Sequence, residues 1–140
     1  MTLDGFCDHT AGIADRELHQ HYNELLSNAD IILFGRITYQ LMESSWPAIV
    51  KNPTGNQSID EFAGLIDNIS KVVYSLTLKN VDWKNTILKN EVLKDDILEL
   101  KQGTGKNILV GSRSLIITLM QMNLIDEYQF CVQPIVLGKG

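Results

Sequence analysis

Apolar positions along this chain change period several times, and each change marks an element. Leu18, Tyr22, Leu25 and Leu26 recur at helical spacing within 15–28, behind Asp15 as a cap. The run ADIILFG at 29–35 then reads as a short buried strand ending at Gly35. A short helix is expected at 36–44, with Ile37 and Leu41 turned inward, and Pro47, Pro53 and Gly55 mark the loop beyond it. SIDE at Ser58–Glu61 has the form of a capping box, and Phe62, Ala63 and Ile66 supply the apolar stripe behind it.

KVVYSLT at 71–77 is rich in β-branched and aromatic residues and reads as a strand, with NTILK at 85–89 as a shorter one. Residues 91–101 form a helical pattern with Leu93, Ile97 and Leu100 inward. A strand at 107–110 leads into a helix at 112–122. Its only polar stripe is Ser114, Thr118 and Gln121, so most of its circumference should be buried. In EYQFCVQPIVLG, Tyr128, Phe130 and Val132 alternate with Gln129, Cys131 and Gln133, which predicts a last strand with one exposed or partner-facing side. Strands alternating with helices predict an α/β fold, a three-layer α/β/α arrangement around a largely parallel sheet. Right-handed crossovers then place the loops that follow the strands along one edge, where ligands of such folds bind.

Composition narrows the classes. With 140 residues the chain is expected to be a single domain over 1–140, and 44% hydrophobic against 21% charged residues argues against disorder. A net charge of −5 argues against a nucleic-acid-coating surface but permits a local pocket for one phosphate. No apolar run approaches the roughly 20 residues of a membrane helix. The first residues lack the pattern of a signal peptide. A cytoplasmic protein is expected, with Cys7 and Cys131 as free, buried or half-buried thiols. His19 and His21, two apart on a helix, point to opposite sides, so no metal site is expected.

Three strand ends carry unusual chemistry. FGRITY places Gly35, Arg36 and Thr38 at a helix start directly after a strand, and VGSRS repeats the arrangement with Gly111, Ser112, Arg113 and Ser114. YSLT presents Ser75 and Thr77 after another strand. Helix starts carry unpaired N–H groups and partial positive charge, so two of them on one edge suit a diphosphate. Arg36 adds a forked cation, and the two glycines let backbone approach a ligand. Each motif alone is more often a simple turn or a solvated side chain. The glycine fingerprint of Rossmann sites and the P-loop pattern are both absent.

Taken in order, TLDGF, GRITY, KVVYSLTL, ILVGSRSL, LIDEYQF and PIVLGKG resemble the dihydrofolate reductase-like family that includes the reductase domain of bacterial riboflavin biosynthesis. The likeness runs over nearly the whole chain and is closest to the small stand-alone members. It implies an NADPH-binding α/β/α fold, commonly a homodimer, acting on a small-molecule substrate. By that likeness, Gly35, Arg36, Thr38, Ser75 and Thr77 hold the adenosine phosphates, and Gly111, Ser112, Arg113, Ser114 and Leu115 lie along the pyrophosphate. Asp4 and Gly5 lie on the nicotinamide and substrate side.

Two departures stand out. Many members have Gly-Gly where this chain has Gly111-Ser112; Ser112 still offers an N–H and adds a hydroxyl. The family also has a strand before LDG and more sequence after LGKG, so the chain is expected to be truncated at both ends, with exposed sheet edges. Hydride transfer needs positioned reactants and a proton source, for which Asp4 and His9 are the candidates. Trp46 and Trp83 are expected in packing rather than in a pocket. The function expected is NADPH-dependent reduction of a small pterin- or pyrimidine-like heteroaromatic. The alternative is a non-catalytic dimeric module that binds a dinucleotide or phosphate ligand.

Overall fold

The computed structural model describes residues 1–7, 12, 15–103 and 105–138. The elements run α1 (Arg16–Ser27), β1 (Ala29–Gly35), α2 (Arg36–Glu43), α3 (Trp46–Lys51), α4 (Gln57–Asn68), β2 (Ser70–Tyr74), β3 (Thr86–Lys89), α5 (Lys94–Gly103), β4 (Asn107–Val110) and α6 (Arg113–Gln121). The four strands form one parallel sheet in the order β3-β2-β1-β4. Strand residues alternate between two cores, as the pleat requires. Ile32, Phe34 and Val73 face Leu26, Tyr39, Phe62, Ile66 and Trp83. Leu33, Val72 and Tyr74 face Ile97, Leu115, Leu119 and Leu124. The three-layer α/β expectation therefore holds. Among the described residues, no helix is long and apolar enough to cross a membrane.

Several local expectations are corrected. On α2 it is Tyr39 that is buried, while Ile37 is 72% and Leu41 42% exposed. The helix is short and meets the core along one narrow line. Pro47 lies in the first turn of the helix α3, where its missing N–H costs nothing, rather than in a loop. The cap of α4 is Asn56, whose side chain accepts from Ser58 N at 3.2 Å, so the helix begins one residue before the apparent capping box. Leu93 precedes α5 and is 46% exposed, whereas Ile97 is buried. On α6 only Leu115 and Leu119 are buried; Ile117 and Met120 are 40% and 48% exposed, because a single layer of helices covers this face. Strand β2 stops at Tyr74, where Ser75 turns the chain. Residues 127–138 form no strand ladder: a single bridge joins Thr2 to Gln133. Both cysteines are unpaired, and Cys7 is exposed rather than buried.

Candidate functional site

The strand order sets the position of the site. From β1 the chain moves outward to β2 and β3, then returns to place β4 on the other side of β1. The direction of winding reverses between β1 and β4, and loops leaving their carboxyl ends diverge to leave a crevice. Gly35 ends β1 and Gly111 follows β4 at this crevice. Ser112 bridges it, accepting a 2.7 Å hydrogen bond on Oγ from Gly35 N. Ser112 is 2% exposed, so its hydroxyl joins the two loops instead of facing a ligand.

Gly35 and Ser112 are the N-caps of α2 and α6, and neither helix has a side-chain cap or an acidic residue in its first turn. Both begin with arginine, Arg36 and Arg113. Every other described helix of eight or more residues is supplied differently. Asp15 caps α1, with Glu17 in the first turn; Asn56 caps α4, with Asp60 in the first turn; α5 opens with Asp95 and Asp96. Carboxylates at those starts compensate the helix dipole. At the crevice the same positive ends are left without one.

A cavity of about 140 Å³ opens here, lined by Gly35, Tyr74, Val92, Ser114, Leu115 and Thr118. Gly35 has φ −84°, so the turn does not require glycine. A Cβ there would stand 3.5 Å from Ser114 Oγ and 3.6 Å from Ser112 Cβ, on the cavity side. Gly111 likewise lacks a positive φ. Arg36 is exposed, its Nη1 resting 3.1 Å from Gln40 Oε1, and Thr38 is half-buried one turn into α2. Beside them, Ser75 Oγ accepts from Thr77 N at 3.2 Å and Leu78 N at 3.0 Å, which builds the turn after β2. Thr77 is exposed. A larger groove of about 710 Å³ lies between α1 and the start of α4, with only polar residues in its lining, and contains none of the expected site residues.

The remaining expected residues lie elsewhere. Asp4 accepts from Thr2 Oγ1 at 2.5 Å, Gly138 N at 2.7 Å and Leu137 N at 3.1 Å. The Thr2 hydroxyl, aided by those N–H groups, holds its carboxyl below the usual range. Asp4 is thus a clasp between the terminal segments and stays ionised near neutral pH. Gly5 has φ +84° and is required by its turn. Neither lines the cavity. His9 lies outside the described residues. Trp46 packs on Phe62 with ring centroids 4.4 Å apart, and Trp83 is buried with Nε1 donating to Asp67 Oδ1 at 2.7 Å. Tyr74, Val92 and Thr118 line the cavity without having been expected at the site; a tyrosine near the end of an apolar strand, and Thr118 in the polar stripe with Ser114, were the available signals.

Comparison with known proteins agrees with this architecture. The model of the RibD C-terminal domain matches residues 1–140. The chain belongs to the RibD C-terminal domain family. The uncharacterized protein YyaP of Bacillus subtilis (strain 168) is similar, 30% identical over 144 aligned positions that cover 100% of this chain and 74% of YyaP. As a RibD C-terminal domain, the chain has a reductase-like fold of the dihydrofolate reductase type.

Proposed function

We propose that this RibD C-terminal domain is an NADPH-dependent reductase of a small, pterin- or pyrimidine-like heteroaromatic. The observation that carries the reading is the pair of uncapped, acid-free helix starts at the β1/β4 crevice, each opening with arginine. NADPH fits that donor set. The first-turn N–H groups of α2 and α6 would hold its pyrophosphate, and Arg36, beside the Ser75–Thr77 turn, suits an additional phosphate. Bound there, the dinucleotide supplies the hydride. The chain's own residues orient it, and the cavity walls exclude water from one part of it. Homodimerisation belongs to the same proposal, supported by the exposed Tyr128, Phe130, Val132 and Val136 of the C-terminal segment.

Asp4 favours a second reading, a binding module without catalysis, because one of the two expected proton donors is committed to the clasp. Thermal unfolding with NADPH, and with NADH as control, tests the site. A ligand at 100 times its dissociation constant adds about 2.7 kcal/mol, and each kcal/mol raises the midpoint by roughly 2–8 °C. A rise with NADPH that is lost in Arg36→Ala supports the site; no rise in folded protein sinks it. NADPH oxidation with candidate acceptors then separates reductase from binding module.

A further inference from the structure

Tyr74 is the last residue of β2, in register with Gly35 on β1 and Lys89 on β3. It is 7% exposed and is one of the residues that line the crevice cavity. Its hydroxyl is buried without a hydrogen-bond partner among the described residues. The nearby carboxylate of Asp96 is paired with Lys89. Buried polar groups are normally bonded, and an unbonded one costs folding free energy. Phenylalanine would fill the same space without that cost. The hydroxyl therefore does not earn its place through the fold.

We propose that Tyr74 is a specificity residue of this cleft, its hydroxyl hydrogen-bonding the heteroatom edge of a flat ring seated in the cavity. The inference rests on the cofactor reading above. A cavity of roughly 150 Å³ accommodates a benzene-sized ring, so about 140 Å³ takes one ring of a dinucleotide and not the whole. Val92 and Leu115 offer apolar walls, Ser114 and Thr118 offer hydroxyls, and Gly35 presents no side chain. The two uncapped helix starts open beside this slot, so a phosphate on the ribose that carries the ring has its own site within reach. The hydroxyl is buried in the free protein, so seating the ring against it requires the cavity wall to shift.

Tyr74→Phe tests this directly, with NADPH as the probe and with adenosine 2′,5′-bisphosphate and reduced nicotinamide mononucleotide as its two halves. The free variant should unfold at or above the wild-type temperature, since only an unpartnered group is removed. NADPH should bind it about two- to tenfold more weakly, and the half that shares the loss carries the ring. Unchanged affinity in a folded variant overturns the assignment to Tyr74 and leaves the cofactor reading intact. A lowered unfolding temperature also overturns it, because the hydroxyl would then have a partner within the fold. Failure of the wild type to bind any of the three probes removes the cofactor reading and this inference together.

Discussion

Gly35 adopts φ −84° and ψ 165°, a conformation open to any residue. What its missing side chain provides is space beside Ser114. Gly35→Ala should therefore leave stability unchanged or raise it by up to about 1 kcal/mol, while weakening NADPH binding on the order of tenfold. Paired melts and titrations check this, and a variant that loses stability but binds normally would make Gly35 a folding residue only. Lys71 makes a different residue-scale case. It is 1% exposed, and its Nζ donates to the carbonyls of Asp67, Ile69 and Lys84 at 3.0, 2.9 and 3.2 Å. The ammonium also sits 4.5 Å from the Trp83 ring centroid. Burial pulls its pKa down to about 8, against the pull of Asp67 and with the repulsion of Lys84. Between pH 8 and the ordinary 10.5, the unfolded chain holds a proton that the folded one has released, so stability rises with pH, by up to about 3 kcal/mol. Tyr39 acts above that range. Burial raises its hydroxyl from 10 to about 12, so the folded state retains the proton longer and stability falls across that interval. Urea unfolding from pH 7 to 11 should show a maximum near 10, and Lys71→Met should abolish the rising limb. A rising limb that persists in the variant would assign it to another group.

At the scale of elements, the buried central strands were the legible part, while their order in the sheet and the absence of a last strand at 127–138 were not. Long apolar runs bounded by turn residues have few alternatives, and β1 and β4 fall on the expected residues. Helix faces were less legible where helices are short or lie in a thin outer layer. A spacing argument cannot tell which of Ile37, Tyr39 and Leu41 on α2 meets the core. Helix ends depend on single hydrogen bonds. The end of α6 shows this: Asn123 at φ 55° lets Leu124 N reach Leu119 O at 3.0 Å and Asn123 N reach Met120 O at 3.0 Å, and Leu119 and Leu124 pack in one core. The start of α4 can be tested. Asn56→Ala should cost about 1 kcal/mol (range 0.5–2), as for other lost caps. Ser58→Ala should cost less, because Ser58 supplies the capped N–H and no cap. Chemical denaturation of both variants checks the order; the reverse order would restore Ser58 as the cap. The site divides along the same line. The glycine and arginine helix starts could be read from the sequence, whereas the Ser112–Gly35 bond joins residues 77 apart and needs the strand order to be known.

For the whole molecule, two parts differ in how they are held. The four-stranded sheet has a core on each face. The terminal segments are joined to each other by a few bonds: Met1 ammonium to Cys131 O at 2.7 Å, Gln133 N to Met1 O at 2.8 Å, Leu3 N to Ile135 O at 3.0 Å, and the Asp4 clasp. This pairing leaves apolar side chains in solvent. Phe130 is 70% exposed and stacks on Tyr128, which is 44% exposed, with Val132 at 49% and Val136 at 67%. Single exposed apolar residues are ordinary, but a run of them beside an incompletely paired segment is the composition of an interface. The proposed homodimer would cover this segment and add backbone partners to it. Phe130→Glu should then raise the dimer dissociation constant on the order of 100-fold, since a charge would have to enter an apolar contact. The unfolding of the sheet core in the monomer should be little affected, because Phe130 belongs to neither core. Sedimentation of both proteins over a range of concentrations measures the first, and denaturation of the monomeric variant the second. A wild type that remains monomeric at high concentration would exclude the dimer. A variant that associates normally would move the interface away from Phe130.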